Sequence, residues 1–496
     1  MSSNNSSRTK TKVLIIGGGI GGLTMGILME RAQIDYLILE RAPSIRPLGS
    51  AIALSSVVQP LFSQLGILDE IRASSKSVSG MTLLNEPDQR PLGSLTNLMK
   101  GADIKERYGY YTRVMPRPTF YDILLKHLPR SKLVLSKKVV SFEEYEQGDD
   151  GQEGGVIVTC ADGTEYDTQI LVGSDGAYST IRSIMYGRLN EKNLLPKQDL
   201  LPLRLRQHSV LGVTEPLRAT PDERERYREC FASEFSDFKI VMSQDRKYMF
   251  WVMPTTDDRI CWLLNRYHDE TEAQVEESQV SCGGIQAAAT DMEWGQEAVQ
   301  EMLGQTRDFK CPYSGTVGEL VDRTTPHLIS KVTLEEKLFK TWYHGRTIMI
   351  GDAVHKLVPF SGEGGAQAIL DAVTLANVIY DVKSVRTSDI TTAFETFYQD
   401  RFPVAQGAID FSKQMAGVLN HQGWIGEIIR KITFGYLPAF IARKLDDKIN
   451  DKRPQAAFLP IIPVPGLVKP RWQKMSERKI GEGPLTQNPE ERVQAV

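Results

Sequence analysis

Three glycines and one acid carry the first chemistry legible in this chain. In "KVLIIGGGIGGLTMGILMERAQIDYLILER" (residues 12–41), Gly17, Gly19 and Gly22 occupy the positions of a GxGxxG turn. In such a turn the first glycine permits a tight strand-to-helix reversal, and the second lets the backbone approach a pyrophosphate. The third lets helix and strand pack closely, while the helix start offers unpaired N–H donors to the anion. Glu40 follows Gly22 by 18 residues, at the end of a second apolar run. There its carboxylate can accept hydrogen bonds from a ribose diol. The pattern predicts a bound dinucleotide with an adenosine ribose. A glycine turn that merely packs is the competing reading, and the order strand, helix, strand, acid disfavours it. The turn alone does not separate NAD from FAD.

Three further stretches bear on that choice. "LVGSDGAYSTIR" (171–182) runs an apolar strand into Asp175-Gly176 and ends at Arg182. "IMIGDAVHKLVPFSGEGGAQAILDA" (348–372) runs another into Gly351-Asp352 and then a glycine-rich helix start at Gly362, Gly364 and Gly365. "RPTFYDILLKHL" opens an amphipathic helix at Arg117.

With these motifs in this order, the chain resembles the group A flavoprotein monooxygenases, the para-hydroxybenzoate hydroxylase-like family. Its closest likeness is to fungal secondary-metabolite epoxidases and hydroxylases, over residues 12 to about 380. The resemblance implies FAD as cofactor, contacted by Gly17, Gly19, Gly22, Glu40, Arg41, Gly49, Ala53, Arg117, Asp175, Asp352, Gly364 and Gly365. Asp352 would bind the ribityl hydroxyls, which only a flavin has, and Arg117 the phosphates. Gly49 and Ala53 would pass small-residue backbone beside the flavin ring. The glycine-rich helix start would stabilise the charge of a reduced flavin. Asp175 would lie near both FAD and the path of NAD(P)H, with a turn-forming role as the competing reading. Arg117 could equally be a surface arginine at a helix start. Glu363 departs from the glutamine usual in the family; its carboxylate would oppose an anionic flavin or turn to solvent. His355 reads as a structural histidine ahead of a catalytic base.

The implied reaction has NAD(P)H reduce the flavin, which then reacts with O2 and passes one oxygen atom to the substrate by hydroxylation or epoxidation. The expected partner is a hydrophobic or aromatic small molecule, and no residue is assigned as catalytic. Alternatives are an alkene reductase of the geranylgeranyl-reductase type, a flavin-dependent halogenase, and a GDI-like binding protein. "FWVMP" (250–254) lacks the paired tryptophans of halogenases, and an intact Asp352 argues against a flavin-free binding module. A second GxGxxG is missing, which disfavours enzymes with two dinucleotide domains.

The elements that must position these residues follow from hydrophobic pattern. Short apolar runs ending in glycine read as buried parallel strands. The expected fold is mixed α/β: a Rossmann-like FAD-binding domain with an inserted antiparallel-sheet substrate domain and a helical C-terminal region. The cofactor domain is expected at 12–80, 113–195 and 340–400, and the substrate domain at 81–112 and 196–339. A helical region would follow at 401–470 and a polar, disordered tail at 471–496. Lys plus Arg (59) nearly balances Asp plus Glu (62), which disfavours nucleic acid as a partner. Five scattered cysteines without CxxC spacing read as reduced thiols. The start "MSSNNSSRTKTK" lacks a secretory apolar core, and no run reaches ~18 apolar residues. A cytoplasmic protein is expected. The stretch 423–445, apolar at helical spacing with Arg430, Lys431, Arg443 and Lys444, reads as a helical cap ahead of a peripheral contact with an intracellular membrane.

Overall fold

The computed structural model describes residues 8–45, 48–94, 101–146, 153–267, 296–313, 315–358, 362–420, 426, 428–429, 432–433, 439–478, 480 and 482–486. Cys282 and most of 423–438, including Pro438, lie outside them.

The first sheet gathers strands from three separated parts of the chain. Strands β1 (Thr9–Ile16), β2 (Tyr36–Leu39), β3 (Leu133–Val134), β4 (Glu165–Gly173) and β5 (Thr347–Met349) lie parallel in the order β5-β4-β1-β2-β3. Register pairs Ile16 with Gly173 and with Leu39, so the glycine turn and both following loops leave the sheet at one edge. Their side chains are apolar in unbroken runs because both faces are covered. An antiparallel hairpin, Val139–Tyr145 with Gly155–Cys160, extends this sheet beside β4. The polar tip of that hairpin, 147–152, is outside the described residues.

Helix α1 (Ile20–Ala32) is buried along nearly its whole length, and α2 (Arg117–Lys126) and α3 (Thr180–Glu191) follow. Helices α4 (Gly364–Tyr380) and α5 (Thr387–Asn420) follow β5, and α6 (Ala439–Asn450) comes last. Gly21 lies against Ala368: an added Cβ would sit 3.4 Å from the Ala368 Cβ and 3.1 Å from Ser174 Oγ. This contact joins the start of the chain to α4.

The second sheet is mixed rather than purely antiparallel. Strands Arg204–Val213, Phe235–Met242, Tyr248–Pro254, Ile260–Tyr267 and Ser330–Leu338 pair antiparallel, but Phe235–Met242 runs parallel to Lys76–Asn85. The long connection between those two strands supplies the crossover that a parallel pair needs. Strands Arg113–Pro116 and Ala51–Leu54, inside the ranges expected for the cofactor domain, close the edge of this sheet. Trp251 of "FWVMP" packs edge-on against Phe238 within it.

The segment 471–486 departs from the disordered tail expected of it. Arg478 donates to the Val382 carbonyl at 2.6 Å, Leu485 is buried, and Thr486 bridges to Ile34. Its polar side chains find backbone acceptors, which the composition does not reveal. Among the described residues, no helix is long and apolar enough to cross a membrane.

Trp262 is fully buried in the second sheet and donates its indole N–H to Thr324 Oγ1 at 2.9 Å. Replacing it with Ala should destabilise the protein by about 3–5 kcal/mol through the cavity left behind. Urea unfolding would measure this, and a loss under about 1 kcal/mol would show that the site collapses freely.

Candidate cofactor site

The glycine turn is built by close contact. Gly17 has φ +108°, and an added Cβ would come within 2.3 Å of the Ser174 carbonyl oxygen. At Gly22 the added Cβ would lie 2.0 Å from the Gly17 carbonyl oxygen. Both positions admit only glycine, for packing reasons that hold before any ligand arrives. Gly19 is the N-cap of α1, in extended conformation and without a side-chain cap.

Glu40 closes this turn from the end of β2. Its Oε2 accepts from the Gly18 amide at 2.7 Å, and its Oε1 accepts from the Ala42 amide at 2.8 Å. The carboxylate therefore fixes the loop that carries it and the loop that faces it. Arg41 beside it is exposed and forms no side-chain bond among the described residues.

Three polar groups from distant segments converge next. Arg117 begins α2, where its amide donates to Ser50 and its guanidinium lies over the Tyr121 ring, 5.6 Å from the centroid. Gly49 leaves room for that side chain, since an added Cβ would meet Arg117 Cδ at 2.9 Å. Tyr121 and, beyond it, Asp352 favour the charged guanidinium. Asp352 accepts from Lys356 Nζ at 2.6 Å through Oδ2, leaving Oδ1 without a donor among the described residues. Burial pushes the Asp352 carboxyl up, but Lys356, His355 and Arg117 outweigh it and hold it below the usual carboxylate range. Arg117, Asp352 and Glu363 keep contact with water although protein surrounds them. Arg117 is the exposed member of the group, and Asp352 and Glu363 are half-buried.

The start of α4 forms another wall. Gly364 has open space on the side where a Cβ would project, and Gly365 packs on Ile52, 2.9 Å from an added Cβ. An added Cβ at Gly362 would stand 3.7 Å from the Ala53 Cβ, so the edge strand 51–54 borders the same space. Neither α1 nor α4 has a capping side chain or an acidic first turn. Two uncapped helix starts, an arginine and an open glycine fit a ligand with anionic groups and a flat body. Glu363 accepts from Gln367 Nε2 at 3.5 Å, and burial pushes its carboxyl up to about 7.

Asp175 holds the start of α3. Its Oδ2 accepts from the amides of Thr180 and Ile181 at the start of α3, while Oδ1 is buried without a partner among the described residues. Burial pushes its carboxyl up. Arg182 ties this loop to the next motif, donating to the Ala353 carbonyl at 2.7 Å and the Ala177 carbonyl at 2.5 Å.

The sequence reading passed over Asp371 and Arg401. Asp371 is fully buried and accepts from the Gly351 amide (2.8 Å), His355 Nε2 (2.5 Å) and Arg401 Nε (2.7 Å). Arg401 also donates to Gln367 Oε1 at 2.7 Å. His355, 0% exposed, is thus a structural prop beneath Asp352. The available signal was a lone carboxylate in the apolar run "AILDAVTLA".

With this geometry in view, comparison with known proteins is specific. A family model described as "FAD binding domain" matches residues 10–297 and 308–412. The FAD-dependent monooxygenase ctvC of Aspergillus terreus is 26% identical over 382 residues, 75% of this chain and 70% of that protein. The FAD-dependent monooxygenase nvfK of Aspergillus novofumigatus is 25% identical over 499 residues, 99% of this chain and 95% of that one. Among solved structures, Klebsiella pneumoniae HpxO complexed with FAD and uric acid matches with TM-score 0.63 and 18% identity, covering 88% of this chain and 96% of that one. At that identity the likeness is one of fold.

Asp371 carries the pH-dependent part of this site. Burial alone would raise its pKa; His355 and Arg401 overcome that and hold it at about 2. The stabilisation is then complete above the ordinary carboxylate value of about 4 and is lost as pH falls through about 2. Asp371→Asn should cost about 3–5 kcal/mol near neutral pH, because it leaves Arg401 buried and unpaired. Unfolding of both proteins between pH 7 and 3 tests this: the gap should stay constant, then narrow below about pH 4.

Proposed function

The chain belongs to the FAD binding domain family, and on that premise we infer that it is an FAD-dependent, NAD(P)H-driven monooxygenase. It inserts one oxygen atom of O2 into a hydrophobic or aromatic small molecule, in secondary metabolism. The single observation that carries the reading is the convergence of the GxGxxG turn, Arg117, Asp352 and the open start of α4 on one cleft. The relatives named FAD-dependent monooxygenases support the same activity.

Bound FAD supplies the redox chemistry, taking reducing equivalents from NAD(P)H and activating O2. The chain's own residues bind, orient and shield. The amides at the start of α1 hold the pyrophosphate, with Arg117 adding a fixed positive charge. Glu40, already anchored by two amides, presents its remaining lone pairs to the adenosine ribose. Asp352, kept ionised by Lys356, accepts ribityl hydroxyls through Oδ1. The uncapped start of α4 favours negative charge on the ring held against it. Glu363 can hold a proton on its carboxyl up to about pH 7, which removes the like-charge conflict that a carboxylate there would bring. The assignment of Gly17, Gly19, Gly22, Arg41, Gly49, Ala53, Asp175, Gly364 and Gly365 to this cofactor is part of the same proposal. So is a peripheral contact with an anionic membrane surface through α6, where Phe440, Ile441, Leu445 and Ile449 are exposed beside Arg443 and Lys444.

Two measurements test the reading. The purified protein should release FAD, not FMN, on denaturation, and ¹⁸O2 should label the product with one oxygen atom; label from water, or alkene reduction without O2 uptake, would overturn the monooxygenase assignment. Glu40→Gln puts a donor where two amides need acceptors, and should weaken FAD by about tenfold or more, roughly 1.4 kcal/mol. Equal FAD affinity by fluorescence titration would remove Glu40 from the site.

A further inference from the structure

A second cavity, of about 620 Å³, lies between the later half of α4, the first half of α5 and the segments around 452–457 and 471–474. None of the residues assigned to the cofactor lines it. Its size falls within the range of about 300–1,000 Å³ typical of small-molecule sites. Leu370, Val378, Val382, Ala393 and Ala457 give it an apolar wall.

Trp472 stands at this cavity 81% exposed. Fraying does not explain that exposure, because the chain on either side is pinned. Arg471 donates its amide to the Asp451 carbonyl at 2.9 Å, and Gln473 exchanges two hydrogen bonds with the Gln455 backbone, at 2.9 and 2.6 Å. Ser476 donates its amide to the Ala457 carbonyl at 3.0 Å. An indole left in water on a fixed backbone is a preformed stacking surface.

The charges around the cavity are unequally satisfied. Its carboxylates are engaged: Asp381 by Ser476, Asp389 by Ser384 and Asp400 by Lys452. The Lys383 ammonium and the Arg471 guanidinium both line the cavity and form no hydrogen bond or close ion pair among the described residues, although the Lys383 charge acts on Asp389. Cations without a hydrogen-bond acceptor, beside an aromatic face and an apolar wall, select a flat apolar body that carries a negative group. We propose that this cavity is a second ligand site, separate from the cofactor cleft, for a small amphipathic aromatic anion such as an aryl carboxylate or sulfonate. The ring stacks on Trp472 and enters against Leu370 and Val378, and the anion pairs with Arg471 and Lys383. Arg401 also lines the cavity, but it holds Asp371 and is left intact in the test.

The experiment titrates the FAD-loaded protein with 8-anilinonaphthalene-1-sulfonate, followed by fluorescence and calorimetry. One saturable site is expected. Trp472→Ala and the double variant Lys383→Glu, Arg471→Glu should each bind the probe about tenfold more weakly or worse. FAD content, unchanged from the parent, reports that both variants are folded. N-phenyl-1-naphthylamine, the same ring system without the sulfonate, should bind the parent protein about tenfold more weakly than the sulfonate. Affinity unchanged within about twofold in both variants, or equal binding of the neutral probe, overturns the proposal.

Discussion

The carboxylate of Asp371 is the interaction on which the cofactor cleft rests. A fully buried carboxylate is costly unless every lone pair it needs is met and its charge is balanced. Here the Gly351 amide and His355 of one turn and Arg401 of α5 meet on one group of α4. Their convergence sets the backbone of the Gly351-Asp352 turn. It also docks α5 onto α4 through Arg401 and Gln367, and so fixes the helix start that faces the cleft. Remove the charge and three elements lose their common anchor.

Glycine packing performs the matching task on the other side. The turn after β1 is held within van der Waals limits of Ser174 and of its own Gly17 carbonyl, so the backbone amides have one arrangement. Glu40 then fastens the turn to the end of β2. The site is therefore preorganised by two different means: steric exclusion at the glycine turn after β1, and buried charge beneath the Gly351-Asp352 turn and the start of α4. Preorganisation of this kind keeps the cost of ordering out of the binding step.

Electrostatic asymmetry among four carboxyls also follows from position. Asp352 and Asp371 are held low by nearby cations, and Glu363 and Asp175 are pushed up by burial with little cationic compensation. One cleft thus holds carboxylates kept charged and a carboxyl that can stay neutral near pH 7. Such divergence arises from tertiary neighbours, chiefly Lys356 for Asp352 and His355 with Arg401 for Asp371, and not from residue type.

The sequence by itself determined the parallel sheet around β1, β2 and β4, because apolar runs ending in glycine admit little else. It also determined the family, because three spaced motifs specify it jointly. The GxGxxG turn, Arg117 and the Gly351-Asp352 turn were each visible as local patterns. Only the tertiary structure decided what each carboxylate holds. Asp175 turned to cap α3 and Glu40 to fasten a loop, since amide donors stood within reach of them. Asp371 and Arg401, 30 residues apart on two helices, became partners through helix packing that no local pattern encodes. The same is true of the parallel pairing of Phe235–Met242 with Lys76–Asn85 and of the ordered segment 471–486. Local spacing encodes strands and turns because their periods are short. Pairings across hundreds of residues depend on the folded surface that each segment finds.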